Sequence, residues 1–268
     1  MSPATMDRLL KHGKRKRGIS GTRPSKRFLK SIPIQPKDWN VTKPGTVQSD
    51  TVAYTHTSLE GDIANTVTST DIHSSWTENR AIWTKFHRSM INALEDIENS
   101  FPFDLETAKS DSGSEFMNWA VVAYYQKRQK PVHVVRGRPY RKNDNCYVEQ
   151  KNFTHVRELF GYEKIDRPEL VEWMNRIYRE LWNPLHNFFL PSQKLLRKMR
   201  IGSQIKKEYD EPQTPCKRIL ECQAISEEKK EALRTRQAAL NPVELSDALE
   251  EELKAFRATL RSIQKWAA

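Results

Sequence analysis

Three acidic residues stand where an oxygen-rich ion site can be assembled. Asp50 lies at the polar end of TVQSDTVAY, Asp111 precedes a glycine-containing turn in SDSGSEF, and Glu149 falls where a loop gives way to a helical pattern in NDNCYVEQKNFTHVR. Carboxylate oxygens are hard donors that bind Mg²⁺ or Mn²⁺, and such ions act on phosphoryl groups. A strand fixes a side chain more rigidly than a loop, which favours Asp50 as the third member beside Asp111 and Glu149. Each acid taken singly also has a structural reading. An Asp before Gly is commonly a turn residue, a Glu in the first turn of a helix is favoured by the helix dipole, and an Asp in a strand can be an edge charge. Asp62, Asp71 and Glu115 are competing acids; Asp71 is placed to support the site without binding metal, and Asp62 and Glu115 are expected to point away from it.

Basic residues flank the acids. Arg138, Arg141 and Lys142 precede Glu149, and Lys151, Asn152 and Arg157 follow it on the same helical pattern. Such residues can hold phosphates in register without reading bases, or they can form a salt-bridged helix face. The net charge is +11, and the pI is about 9.5. Eleven Lys or Arg and one acid fall within residues 1–37, so that segment alone carries +10. Its dense part, KHGKRKRGISGTRPSKR, contains Lys14, Arg15, Lys16 and Arg17 among Gly, Ser and Pro, a composition that suits a solvated linker or an arm that tracks a polyanion. Tyr140 and Trp119 have the chemistry to stack on unpaired bases, but core packing is the expected role of both. The seven histidines show no paired ligand spacing. Three cysteines, Cys146, Cys216 and Cys222, form no CxxC pair and leave an odd count, which fits a reducing compartment better than a disulfide framework. No apolar run reaches 18 residues and no signal-peptide core is present, so no membrane partner is expected and the reading is soluble and intracellular.

The elements that position these residues follow from periodicity. Strands are expected over 47–54, 63–71 and 76–83, rich in β-branched and aromatic residues and divided by turn residues, which makes an antiparallel meander. Phe86, Met90, Ala93, Leu94 and Ile97 give a helix over 85–100. A weak strand is expected within 103–110, a helix over 114–129, a strand over 131–135, a helix over 147–160 capped by Asn145, and a helix over 168–181. Trp182 to Leu190 is apolar and completes the core. Phe28, Leu29, Ile32 and Ile34 form an extended strap before Pro36. Lys194–Arg200 and Gln204–Tyr209 pair as a basic hairpin, which either faces DNA or carries its lysines as edge protection. Pro212 and Pro215 mark a linker, and Asn241 caps a helix to Trp266 whose stripe of Leu245, Leu249, Leu253, Phe256, Leu260 and Ile263 packs on its own domain.

The order Asp50, Asp111-x-Gly-x-Glu-Phe, Val148-Glu149-Gln-Lys-Asn, together with the flanking stretches DTVAYTHTSLEGD, TDIHSSWTENRAIW, RPYRKNDNCYVEQKNFTHVRELFGY and NFFLPSQKLLRKMRIGS, resembles the DDE catalytic core of bacterial insertion-sequence transposases, relatives of retroviral integrases. The resemblance covers roughly residues 1–240. It implies an α/β, ribonuclease H-like core at 38–190 with a mixed five-stranded sheet flanked by helices, a basic N-terminal arm at 1–37, and a C-terminal hairpin and helical extension at 191–268. It further implies Mg²⁺ (or Mn²⁺) held by Asp50, Asp111 and Glu149, with Asp50 bridging two ions and each other acid holding one. The implied reaction is cleavage and strand transfer of DNA by a homo-oligomer on DNA in the bacterial cytoplasm, with no small-molecule substrate. Glu115 resembles a turn residue of that family. Ser112 stands where the family usually has Asn, and the helix-turn-helix domains that precede such cores are expected to be missing. Two other readings stay open: a non-catalytic DNA-binding product of a decayed element, and a ribonuclease H-like nuclease without strand transfer.

If the N-terminal arm neutralises five or six phosphates, the plot of log affinity against log salt for arbitrary DNA should slope at roughly −5. Deleting residues 1–37 should flatten it. Fluorescence anisotropy across a salt series checks this, and an unchanged slope would move the binding surface elsewhere.

Overall fold

The computed structural model describes residues 5, 26–35, 41–55, 61–138 and 142–267. At its centre is a five-stranded mixed sheet in the order β3-β2-β1-β4-β5. Strands β1 (Thr46–Ala53), β2 (Ala64–Asp71) and β3 (Thr77–Trp83) form the expected antiparallel meander. Helix α2 (His87–Ser100) then carries the chain across to β4 (Thr107–Ser110), and α3 (Trp119–Gln126) carries it to β5 (His133–Arg136). Both β4 and β5 run parallel to β1, because each is reached by a helical crossover and not a tight turn.

Helices cover both faces of the sheet. Met90, Ala93, Leu94 and Ile97 of α2 pack on Val67 and Ile82 with Val121, Val122 and Tyr125 of α3. On the opposite face, Val52, Tyr54, Ala64 and Ala81 meet α6 (Glu169–Arg176) and the π-helical turn Ile177–Trp182 through Met174, Ile177 and Tyr178. That two-sided cover explains why β2 and β3 are buried along almost their whole length although their sequences are largely polar. Several of their polar groups are paired, although Asn65 Oδ1 is not. Asn79 Nδ2 donates to Thr68 Oγ1, and Glu78 accepts from Trp76 Nε1, Arg80 and Asn183.

Both edges of the sheet are closed. At β3, Asn175 Oδ1 accepts from the Ala81 N–H while its Nδ2 donates to the Ala81 carbonyl, and Asn187 does the same for Thr77. Two side-chain amides thus take the place of a neighbouring strand. At β5, the chain after α1 (Lys26–Ser31) adds a short parallel bridge, Ile34 to Arg136, and Arg136 Nε donates to the carbonyls of Leu29 and Ile32. The apolar segment before Pro36 therefore docks as expected, with Phe28 and Ile32 buried, but its first half is a helix and not an extended strap.

The helix expected over 147–160 is continuous but compound: a 3₁₀ turn Lys142–Asn145, α4 (Cys146–Lys151), a π-helical turn Asn152–Arg157 and α5 (Glu158–Phe160). The next helix also runs through its π turn, into α7 (Asn183–Phe189). The helix expected from Ser114 starts only at Trp119, since Asn118 caps it by accepting from the Val121 N–H. The stretch at Pro212 and Pro215 is no linker. Pro215 opens α8 (Pro215–Glu221), capped by Thr214, and Cys216 and Ile219 pack with Val47, Trp76 and Phe188. A further helix, α9 (Glu227–Ala238), leads to α10 (Pro242–Ala267), whose Leu245, Leu249, Leu253, Phe256 and Leu260 join the main core. The hairpin expected near 200 is present as β6 (Leu195–Ile201) and β7 (Gln204–Tyr209). Among the described residues, no helix is long and apolar enough to cross a membrane.

Replacing Asn187 by Ala should leave the buried N–H and carbonyl of Thr77 without partners and destabilise the protein by about 1–3 kcal/mol. Val243→Ala on the exposed side of α10 should stay within about 0.5 kcal/mol of the parent. Urea unfolding monitored by circular dichroism separates the two.

Candidate functional site

The parallel register of β1 and β4 ends with Ser49 opposite Ser110. One step further along are Asp50, still paired with Thr68 of β2, and Asp111, just past the end of β4, so the two acids come side by side where β4 stops. Residues two apart on a strand share a face, which puts Gln48 and Asp50 on the side covered by α4. The helix is tied to that face at two points. Tyr147 N–H donates to Gln48 Oε1 while Gln48 Nε2 donates to the Asp144 carbonyl, and one turn later Asn152 Nδ2 donates to Asp50 Oδ2 at 2.7 Å. Glu149 is exposed on this helix, three residues before Asn152 and on the same side of it.

The electrostatics of the edge are set first by burial and then by neighbouring carboxylates. Burial pushes the Asp50 carboxyl up to about 6, against the Thr51 N–H and Asn152 amide that favour its charge, and the charges of Asp111 and Glu115 raise it further. Asp111 is also raised, by desolvation first and by the Glu115 charge, although the Gly113 N–H donates to it at 2.8 Å. Glu115 goes the other way: burial alone would raise it, but its own backbone N–H, Lys85 and Thr51 outweigh burial and hold it below the usual range. Lys85 Nζ and Thr51 Oγ1 both donate to Glu115 Oε1.

Glu115 therefore does not point away as expected. It turns back on the Asp111 loop, and a Cβ added at Gly113 would stand 2.7 Å from Glu115 Oε2 and 2.8 Å from Asp111 Oδ1, so a side chain there would push the two carboxylates out of their present places. Its spacing of four residues from Asp111 across a glycine was the available signal; nothing in the sequence marked Lys85. Asp62 is exposed and takes no part. Asp71 lies at the opposite end of β2, wholly buried, where it accepts from the Gly45 N–H and from the Ser74 N–H and hydroxyl; it holds the β2–β3 turn and does not support the acid edge.

The flanking basic residues are largely engaged within the chain. Arg138 forms a two-pronged bond to the buried carboxylate of Asp144. Lys151 turns inward to His186 Nε2 at 3.0 Å, and burial brings it down to about 8. Asn152 serves Asp50, and Arg157 donates to the Ala53 carbonyl while its guanidinium lies over the Tyr162 ring. Lys142 belongs to the 3₁₀ turn that starts the helix. Lys14, Arg15, Lys16, Arg17, Tyr140 and Arg141 lie outside the described residues. Trp119 is not a core residue: it is 73% exposed and leans on the Phe28 ring.

The donor set fits a divalent cation in kind. Asp50, Asp111 and Glu149 offer hard oxygens, and two buried atoms beside them, Ser112 Oγ and Asn152 Oδ1, have no hydrogen-bond partner. Among the described residues, no three His, Cys, Asp or Glu side chains form a closed ligand group as they stand. Asp50 is engaged by the Asn152 amide, and Asp111 is folded onto its own turn through the Gly113 N–H.

No family model matches the chain. The chain is similar to the uncharacterized protein y4rM of Sinorhizobium fredii (strain NBRC 101917 / NGR234), with 38% identity over 227 residues covering 81% of this chain and 63% of that protein. It thus spans less than two thirds of that relative's length.

The raised Asp50 pKa fixes the sign of a pH effect. Between the ordinary carboxylate value and about 6 the folded state binds more protons than the unfolded chain at this position, so its contribution to stability falls as pH rises through that window. Asp50→Asn removes the penalty and keeps an acceptor for Asn152. It should be more stable than the parent above pH 6 by about 1–2 kcal/mol, the gap closing towards pH 4. Urea titrations at stepped pH check this.

Proposed function

We propose that the protein is a metal-dependent DNA transposase or integrase core, cutting and joining DNA ends by attack of a hydroxyl or water on a phosphodiester. The observation that carries this reading is the placement of Asp50 and Asp111 at the same step of two parallel strands, under a helix that bears Glu149 and is fastened to Asp50 by Asn152. It is supported by the strand order, which is that of a ribonuclease H-like sheet, and by the resemblance of the flanking sequence.

Asp50, Asp111 and Glu149 would hold Mg²⁺ or Mn²⁺. When bound, the ions would activate the attacking oxygen and stabilise the leaving one. The chain's own residues do the positioning. Asn152 orients the Asp50 carboxylate, the Gly113 N–H orients Asp111, and Gln48 fixes the start of the helix that carries Glu149. Glu115, neutralised by Lys85, shapes the Asp111 loop from behind. Site, partner and compartment belong to one reading: DNA as substrate, a homo-oligomer assembled on it, and a bacterial cytoplasmic, nucleoid-associated location.

Glu149→Gln keeps shape and removes charge, so it should lower Mg²⁺- or Mn²⁺-dependent nicking and strand transfer by at least about 100-fold while DNA binding is retained. Ser112→Asn should raise the rate, by replacing an unpartnered hydroxyl with the residue usual in the resembled family. Millimolar Mg²⁺ should raise the melting temperature of the parent and not of Asp50→Asn. Equal cutting by the parent and Glu149→Gln would sink the catalytic reading in favour of a non-catalytic DNA-binding protein, and nicking without joining would favour the nuclease.

A further inference from the structure

We propose that the β6–β7 ribbon is a docking arm for duplex DNA, seated in a groove of the double helix. The inference rests on the phosphoryl-transfer reading for its choice of partner, and on the ribbon's own chemistry for everything else.

The ribbon forms a sheet of two strands by itself, joined through Gly202 in a left-handed conformation. Residues of β7 are exposed throughout, and those of β6 nearly so. An isolated pair of strands is marginal in water, so a ribbon with both faces uncovered calls for a reason to persist. Its root supplies the rigidity. Lys194 N–H donates to Asp210 Oδ1 and the Asp210 N–H donates to the Lys194 carbonyl, closing the base. Arg218 of α8, 91% buried by its 9% exposure, clamps the Asp210 carboxylate and the Ser192 carbonyl, and Lys194 Nζ donates to the His73 carbonyl in the β2–β3 turn. The base is thus part of the folded body while the blades stand free.

Charge identifies what the blades meet. Arg197, Lys198, Arg200, Lys206 and Lys207 face one acid, Glu208, between Leu195 and Tyr209. None of the five makes an ion pair with an acid among the described residues, whereas basic residues elsewhere on the surface commonly do. The register sets Lys198 opposite Lys207 and Arg200 opposite Ile205, so cations line up on one face instead of alternating with acids. A second copy of this chain laid on the ribbon would bring like charges together. A polyanion would not. At about 3.4 Å per residue the seven residues of β6 reach roughly 24 Å, and the major groove of a duplex, about 12 Å wide, admits a two-stranded ribbon. Leu196, Ile201 and Ile205 are more than half exposed and provide apolar contact for groove walls and base edges. A cavity of about 780 Å³ at the root is lined by Lys43, His73, Lys194 and Arg218 and reaches Tyr147, two residues before Glu149, so the ribbon's base opens towards the helix that carries the third acid.

The test uses the full chain, a labelled 25-base-pair duplex of arbitrary sequence, and EDTA throughout, with affinity read by fluorescence anisotropy across a NaCl series. The triple variant Lys198→Glu, Arg200→Glu, Lys207→Glu should bind on the order of 100-fold more weakly at about 0.1 M salt and lose about 3 from the salt slope, since each phosphate contact contributes about 0.9. A second variant, in which residues 195–209 are replaced by a short Gly-Ser bridge between Lys194 and Asp210, should behave alike and keep the parent's melting temperature. Parental affinity and slope in both variants would overturn the proposal. So would a loss confined to single-stranded DNA, or a concentration-dependent dimer in sedimentation that the triple variant abolishes. Because EDTA removes the chemistry, a negative result here leaves the nicking test of Glu149→Gln standing, and the reverse also holds.

Discussion

The parallel pairing of β1 with β4 is the constraint on which the rest depends. Parallel strands present the same ends at the same edge, so extending the register one step beyond Ser49 and Ser110 brings two carboxylates together that are about sixty positions apart in sequence. An antiparallel neighbour cannot do this, and the acid on β2, Asp71, accordingly ends up at the far end holding a turn. Burial at that edge pushes Asp50 up to about 6, with the Asp111 and Glu115 charges adding to the shift, and it also raises Asp111. Gly113 and Lys85 make the arrangement tolerable: the first leaves room for Glu115 and Asp111 to approach, and the second neutralises Glu115 from outside.

The two helical segments that cover the acid face are locked to each other as well as to the sheet. Each contains a six-residue π turn, Asn152–Arg157 and Ile177–Trp182, and a wider turn of this kind shifts the side chains after it to a new angular position. The first begins at the residue that reaches Asp50. His155 then packs edge-on against Trp182 at 5.1 Å and His186 at 4.2 Å, while Lys151 bonds His186 from above. Burial holds both histidines well below the usual imidazole range, so the imidazoles at the centre of this joint are neutral, with the Lys151 cation against them. Asn187 Oδ1 accepts from the Thr77 N–H at the β3 edge and also lies 3.3 Å from His186 Nδ1, which links edge closure to the acid face through α7.

Much of this was legible in the sequence. Alternation and turn residues located the five strands, and helical spacing located the long α2 and α10, because in those segments local pattern and burial agree. Helix starts were less legible: 114–118 has helical composition, but Asn118 prefers to cap, and Pro215 reads as a break although it is well suited to the first position of a helix. Among site residues, Asp50 and Asp111 could be placed at one edge from strand order alone. The side-chain partners could not, since pairing over a hundred positions, as between Asn152 and Asp50, leaves no local signature. For the same reason Arg138, Lys151 and Arg157 read as a surface for phosphates, while their cations are turned to Asp144, His186 and the rings of Tyr54 and Tyr162.

That inward turn redistributes the molecule's charge. Residues 1–37 carry +10 and the blades of the ribbon carry +4, while the remaining residues hold 29 Lys or Arg against 32 Asp or Glu, so the body that bears the acid edge is slightly negative. Net positive charge is therefore concentrated in residues 1–37 and in the ribbon, while the acid edge belongs to the slightly negative remainder. Within that remainder, burial raises both Asp50 and Asp111, so the fold itself works against negative charge at this edge.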